Sequence, residues 1–167
     1  MPTTIKIPFE LLTVQINSAN SFWTAKSGGS LDQSYVAFVD SGLGVATYWC
    51  YVPNNLATSP LWNVDLHHMA DTGSGGNVIF SAHARALSTT STIDIAPTII
   101  VNSGSIAVNT SNWLTVSAAS GANFDSVVAI SATNIVLLKC FRHASTSGDT
   151  VDAQWDLLSP IMRCDVT

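Results

Sequence analysis

The sequence has 167 residues, of which 47% are hydrophobic and only 10% are charged, and its formal net charge is −5. A chain of this length fits one domain with a sizeable core. With six Lys and Arg in total, it lacks the basic surface that nucleic-acid phosphates require, so we exclude that class of function.

The first apolar run does not resemble a secretory signal or a membrane anchor. Lys6, Pro8 and Glu10 interrupt it, whereas a signal peptide needs an uninterrupted apolar centre. No run in the chain approaches the roughly 20 apolar residues of a transmembrane helix. We therefore expect a protein that is made and kept soluble in a cytoplasm, with no membrane partner.

Residues 1–34 are predicted to form an N-terminal strand, an arm and a loop, and residues 35–167 a sandwich, in a single domain overall. The arm and loop are polar and contain the break Ser27-Gly28-Gly29-Ser30. Turn residues then recur about every ten positions and separate short β-rich runs. The candidate strands are 35–39, 45–52, 62–68, 78–87, 93–95, 98–101, 105–108, 113–118, 127–130 and Ile135–His143.

Two hairpins are predicted from the turns. The Gly-rich segment 71–76 would join strands 62–68 and 78–87. Residues 145–149 would join Ile135–His143, which is apolar on both faces and therefore predicted to be a central strand, to an alternating strand at 151–157. In the aromatic run 45–52, Trp49 is predicted to anchor the core.

This pattern predicts an all-β fold, an antiparallel two-sheet sandwich of the jelly-roll type with eight strands. A barrel or an immunoglobulin-like sandwich is the alternative arrangement. The three cysteines, Cys50, Cys140 and Cys164, lie in apolar runs and are odd in number. This favours buried thiols in a reducing compartment, and a Cys140–Cys164 disulfide is the alternative.

The histidines and the acidic residues do not form a metal motif. His67 and His68 are neighbours on a strand and point to opposite faces. His83 could face His67 across the first hairpin, but a third ligand is missing. Three acidic residues near the C-terminus lack the spacing of a calcium loop and are predicted to lie on a solvated face; they are Asp149, Asp152 and Asp156. No metal and no cofactor is predicted.

No catalytic residues are predicted either. The segment Gly73-Ser74-Gly75 lacks the frame of a nucleophile elbow. Pairs of carboxylates such as Asp65 with Asp94 carry no signal of a shared cleft. The chain is therefore interpreted as non-enzymatic.

Three short stretches carry a resemblance to a known class. They are Tyr51-Val52-Pro53, Phe141-Arg142-His143-Ala144 and Gly148-Asp149-Thr150. In this setting of strands, the sequence resembles the jelly-roll capsid decoration, or cement, proteins of tailed bacteriophages. The resemblance implies a virion structural protein, made in the host cytoplasm, that binds the major capsid protein as a homotrimer. Low charge suits such a contact surface.

A carbohydrate-binding jelly-roll module of a phage tail or host-recognition protein is the alternative function. Such a module would stack sugars on exposed aromatic rings. The candidate residues for sugar contacts, or for interface contacts in an assembly, are Trp23, Trp62 and Trp113, which lie near predicted loops.

Overall fold

A computed structural model describes residues 2–14, 21–26, 33–58, 60–70, 75–88, 90–91, 97–108, 115–118 and 128–167. These residues contain twelve strands and no helix, so no described helix could cross a membrane. The strands are β1 Thr3–Pro8, β2 Glu10–Val14, β3 Ser21–Lys26, β4 Gln33–Phe38, β5 Leu43–Tyr51, β6 Trp62–Ala70, β7 Gly76–Leu87, β8 Ile99–Val108, β9 Thr115–Ala118, β10 Ile135–His143, β11 Trp155–Leu157 and β12 Ile161–Val166.

The strands form two antiparallel sheets, which confirms the predicted sandwich of the jelly-roll type. One sheet has the order β2-β5-β10-β7-β8. The other contains seven strands in the order β1-β12-β6-β11-β4-β3, with β9 paired to β6. The twelve strands exceed the predicted eight. One reason is that residues 1–34, expected to form one strand, an arm and a loop, contain the three strands β1, β2 and β3.

Strand β10 is the centre of the five-stranded sheet, as its two apolar faces predict. It begins at Ile135 and ends at His143, the bounds expected from the sequence. It pairs along its length with β5 on one side and with β7 on the other. Its alternate residues Val136, Leu138 and Cys140 are buried between the sheets, so this strand ties the sheet to the core.

Both predicted hairpins are wrong. Strand β6 lies in the seven-stranded sheet, whereas β7 pairs with β10 and β8 in the other sheet. Likewise, the extended segment after β10 does not return along it, because β11 pairs with β4 and β6. In each case the chain crosses from one sheet to the other. The same turn residues can precede either a hairpin or a crossing to the other sheet, so the sequence of the turn does not distinguish the two.

A buried arginine holds the second crossing in place. Arg142 is on the inner side of β10, is 0% exposed and forms a bidentate ion pair with Asp149, with Nε–Oδ2 and Nη2–Oδ1 distances of 3.1 and 2.8 Å. Its guanidinium also donates to groups on the crossing segment and on the end of β4; these acceptors are the carbonyl oxygens of Val151, Ala153 and Phe38 and the Asp40 carboxylate. These contacts fix residues 149–153 to β10 and to the end of β4.

Trp49 is not the core anchor that the sequence predicted. Its neighbours Tyr48 and Cys50 are 2% and 3% exposed and face the core. Because side chains alternate along a strand, Trp49 faces outward and is only half-buried. The core is instead anchored by Trp155 and Trp62, which are 0% and 1% exposed.

All three cysteines are free and buried, as predicted. Burial raises the pKa of Cys50 to about 12 and that of Cys164 to about 11, and it also raises the pKa of Cys140. Thiols with raised pKa values are poor nucleophiles because the thiolate is the reactive form. These residues therefore act as small apolar groups of the core.

Two other sequence expectations differ from the structure. Predicted strands 98–101 and 105–108 are one continuous strand, β8. Residues 128–130 are not in a strand, and the predicted strand 93–95 lies outside the described residues.

Candidate functional site

Of the three tryptophans proposed as contact residues, Trp62 is the one whose side chain the structure describes. Trp62 is 1% exposed, and its indole Nε1 donates to the Val128 carbonyl oxygen at 2.9 Å inside the fold. It is therefore a core residue and cannot stack on a sugar, which corrects the prediction. Trp23 lies in β3, but its side chain is outside the described part of the structure, as is all of Trp113.

A different group of aromatic and polar side chains occupies the outer face of the five-stranded sheet. These side chains are all at least partly exposed and all lie on the side of β5, β10 or β7 that faces away from the core. We call this group the platform; it consists of Trp49, Tyr51, Lys139, Phe141, His83 and Arg85.

The register of the three strands places these residues side by side. Leu137 on β10 pairs with Trp49 on one side and Arg85 on the other. The next residue of β10 on the same face is Lys139, which pairs with Thr47 and with His83. Directly opposed residues on one face of a sheet have Cβ atoms about 5 Å apart, so the platform is continuous across the three strands.

The aromatic end of the platform is formed by Trp49 and Tyr51. Their ring centroids are 4.9 Å apart and the rings meet edge to face at 83°. Tyr51 is 60% exposed, the largest exposed fraction among the described large hydrophobic side chains. Edge-to-face is a favoured arrangement of aromatic pairs, so the contact with Trp49 orients the exposed Tyr51 ring.

The other end of the platform is centred on Phe141. The His83 ring lies 4.6 Å from it between centroids, and the Lys139 Nζ atom lies over its face at 5.2 Å from the centroid. His143 extends the group, and its Nε2 atom is 2.8 Å from the Ser81 hydroxyl oxygen. Hydrogen-bonding groups therefore surround an apolar ring.

Below these side chains is a closed floor. Val45, Leu137 and Ser81 lie on the same outer face and are each 7% exposed. These three side chains are buried, whereas the platform side chains are partly exposed. A flat ligand would therefore contact the platform side chains rather than the backbone beneath them.

The environment of His83 favours a neutral imidazole. Burial and, next, the positive charge of Lys139 lower its pKa below the ordinary value of 6.5, against the opposing effect of the Pro97 backbone. A neutral imidazole has one donor and one acceptor nitrogen. Its N–H donates to the Pro97 backbone carbonyl, so at neutral pH His83 can offer its other ring nitrogen as an acceptor to a ligand hydroxyl group.

A cleft adjoins the Arg85 side of the platform. Its volume is ≈ 380 Å³ and it is lined by Arg85, Ala86, Thr98, Ile99, Val128 and Ala129. This size is at the lower end of the range for small-molecule sites. The cleft extends the surface that a chain-like ligand could occupy.

The described residues do not form a metal centre. In the described ranges no group of three or more His, Cys, Asp or Glu side chains is placed to hold an ion. His67 and His83 lie on strands of different sheets, so they do not face each other as the predicted hairpin required.

Two of the three acidic residues predicted to be solvated are buried instead. Asp156 is 0% exposed, and the Asp149 side chain is enclosed with Arg142. Only Asp152 is exposed. Asp149 is buried because it neutralises an internal guanidinium, a partner that its own sequence neighbourhood does not reveal.

The sequences of β5 and β10 contain a signal for the platform. In β5 and β10, large side chains occur at both odd and even positions. Such a strand has more apolar surface than one core face needs, so one set must lie outside. Closeness to a loop, the basis for predicting Trp23, Trp62 and Trp113 as contact residues, does not report this excess of apolar surface.

Comparisons with known proteins identify the fold. No family model and no curated protein matches the chain. The solved structure of Arthrobacter globiformis T6 isomalto-dextranase complexed with panose matches 95% of this chain and 23% of that chain, with a TM-score of 0.55 and 15% identity. A Podospora anserina GH26-CBM35 β-(1,4)-mannanase matches 98% of this chain and 28% of that chain, with a TM-score of 0.50 and 12% identity.

A third similar structure is a single module of comparable size. The family 11 carbohydrate-binding module from Clostridium thermocellum, in complex with a mixed-linked tetrasaccharide, matches 93% of this chain and 95% of that chain, with a TM-score of 0.43 and 10% identity. The chain spans only about a quarter of the length of the first two proteins. At these identities the first two structures support the fold described above and nothing about function.

Proposed function

We propose that this protein is a non-enzymatic carbohydrate-binding domain whose binding surface is the platform on the outer face of the five-stranded sheet. The observation that carries the proposal is the exposed Tyr51 ring, in edge-to-face contact with Trp49 at 4.9 Å, on the same sheet face as the polar groups of β10 and β7. An apolar surface bordered by a few hydrogen-bonding groups is the usual composition of a small-molecule site.

The chemistry of a sugar matches this combination of groups. A pyranose has an apolar face of C–H groups and an equatorial rim of hydroxyl groups. The face would pack on Tyr51 and Trp49, as aromatic rings bind large apolar surfaces. Lys139 pairs with Thr47, four residues from Tyr51 on β5. The hydroxyl groups of an adjacent sugar in the glycan chain would therefore exchange hydrogen bonds with Lys139 and His83, which supply donors and an acceptor.

A glycan array tests this proposal directly. The wild-type protein should bind a defined set of glycans, and Tyr51→Ala should abolish that binding while the thermal unfolding curve stays unchanged. Leu61→Ala is the matched control, since Leu61 is 56% exposed but precedes β6 in the opposite sheet. A blank array for the wild type, or equal losses in both variants, would contradict the proposal.

Capsid decoration is a second candidate function, supported by a different observation. Strands β2 and β8 are the two edges of the five-stranded sheet. Both expose large apolar side chains, with Leu12 51% exposed on β2 and Ile100 57% exposed on β8. Apolar side chains on sheet edges favour association with another chain. This would suit a homotrimer that binds a major capsid protein in a virion.

Light scattering and shell binding test the second candidate. A decoration protein should form a trimer at micromolar concentration and bind undecorated capsid shells with little dependence on salt, because repeated apolar contacts would supply the affinity. A monomer that ignores shells and binds glycans would exclude it. Shell binding together with a blank glycan array would favour it over the carbohydrate-binding proposal.

A further inference from the structure

The platform has the opposite charge sign to the chain as a whole. The net charge of the protein is −5. On the outer side of the five strands, however, the charged side chains are two cations, Lys139 and Arg85, and one anion, Glu10. Two of the six Lys and Arg residues of the chain thus lie on this one surface.

The single acidic group is too far away to neutralise Arg85. Glu10 pairs with Trp49, Trp49 with Leu137, and Leu137 with Arg85. Three interstrand spacings amount to about 14 Å, which exceeds the screening length of roughly 8 Å at physiological ionic strength. Glu10 therefore lies at the far edge of the platform.

The two cations also have no acidic partner elsewhere in the described structure. Among the described residues, the ion pairs of Lys and Arg side chains join Arg142 to Asp40 and Asp149, and Arg163 to Asp65. Lys139 is held over the Phe141 ring instead, and Arg85 lines the adjoining cleft. Both cations are therefore available to a ligand.

We propose that the platform binds an anionic glycan, whose carboxylate or sulfate groups pair with Lys139 and Arg85 while a sugar ring packs on Tyr51. This inference rests on the proposed carbohydrate-binding function and specifies its substrate class. Lys139 pairs with His83, which is two residues from Arg85 on the adjacent strand. Lys139 and Arg85 are therefore diagonal neighbours, whose Cβ atoms are about 7 to 8 Å apart. Successive charged groups of one glycan chain could therefore engage both cations.

The test compares three polymers: polygalacturonate, dextran sulfate and neutral dextran. Binding is measured by affinity electrophoresis and calorimetry at physiological ionic strength with the full chain. The wild type should bind at least one anionic polymer and prefer it to dextran. Lys139→Gln and Arg85→Gln should each weaken that binding about tenfold, the contribution expected of one hydrogen bond to a charged group. Binding of polygalacturonate alone would assign the anion as a carboxylate, and of dextran sulfate alone as a sulfate.

Lys6→Gln is the matched control. Lys6 is an exposed cation on β1 in the opposite sheet, and its replacement removes the same charge without touching the platform. If Lys6→Gln weakened binding as much as Lys139→Gln, the attraction would be a general charge effect and the inference would be overturned. Equal binding of dextran and the anionic polymers would also overturn it while leaving the carbohydrate-binding function intact. Failure to bind any polymer or any glycan on an array would remove the proposed function itself.

Discussion

Each side of strand β10 carries a cationic side chain, and the two side chains lie in opposite environments. On the inner side, Arg142 is 0% exposed and bound by carboxylates and carbonyl groups. On the outer side, Lys139 is partly exposed and contacts an aromatic ring. A cation that is enclosed and fully paired supports the fold, whereas one that is open can bind a ligand. Substitutions inside should therefore lower stability, and those outside should change binding.

Trp155→Ala tests the interior side of this comparison and has the largest expected effect. The Trp155 ring contacts Phe38 of one sheet at 5.4 Å and Phe80 of the other at 5.6 Å between centroids. Its removal should leave a cavity between the sheets and lower the free energy of unfolding by about 3 to 5 kcal/mol. Urea denaturation would measure the loss. A change below about 1 kcal/mol would mean that the two sheets do not depend on this contact.

Arg142→Met should be nearly as damaging. The variant leaves Asp149 enclosed without its partner, and removing one member of a buried ion pair costs about 3 to 5 kcal/mol. Arg163→Met is the matched control, because the Arg163 side chain is 33% exposed and its pair with Asp65 should contribute at most about 1 kcal/mol. Similar losses of unfolding free energy in the two variants would contradict the distinction between enclosed and open cations.

The stability of the interior should also depend on pH through His68. Its Nδ1 atom accepts a hydrogen bond from the Trp155 indole at 3.1 Å. Burial and, next, the neighbouring His67 lower the pKa of His68 to about 4 from 6.5. Between these two values the unfolded chain binds a proton that the folded chain does not. Stability should therefore fall as the pH drops from 6.5 to about 4, by an amount on the order of 3 kcal/mol.

His68→Gln isolates that effect. Urea denaturation across the same pH range gives the slope of the unfolding free energy against pH for the wild type and for the variant. The difference between the two slopes removes the contribution of other titrating groups. The variant should lose most of the slope between pH 6.5 and 4. Parallel slopes would show that another group is responsible.

Tyr51→Ala sharpens the comparison from the outer side and has the smallest expected effect on stability. Because Tyr51 is 60% exposed, its truncation should change the free energy of unfolding by no more than about 0.5 kcal/mol. Differential scanning calorimetry would measure this. A loss comparable to that of Trp155→Ala would mean that the platform is part of the structural core, and it would weaken its assignment as a binding surface.

Sequence reasoning succeeded where one local pattern had one structural outcome. Strand β10 was predicted with its observed bounds because a run apolar on both faces is typical of a central strand. Sequence reasoning failed where the same local pattern is compatible with two different structures. In β5, Tyr48 and Trp49 are adjacent aromatics on opposite faces, and the size of a ring does not reveal which one faces the core.

The candidate site was harder to predict than the fold. The platform joins residues of β5, β7 and β10 that are up to 92 positions apart, as Trp49 and Phe141 are. Their proximity depends on strand register, which a single sequence does not contain. The position of Trp62 near a predicted loop suggests a contact residue, although its side chain is turned into the core.

The sequence by itself determined the features that arise from contacts between near neighbours along the chain. Alternation of apolar and polar residues, turn residues and the absence of helical periodicity were enough for an all-β chain with buried thiols. Only the tertiary structure decided which strands pair, which faces are covered and where Arg142 finds its partners. The reason is that pairings such as Thr3 with Val166 join the two ends of the chain, and their free energy depends on the assembled sandwich rather than on any local segment.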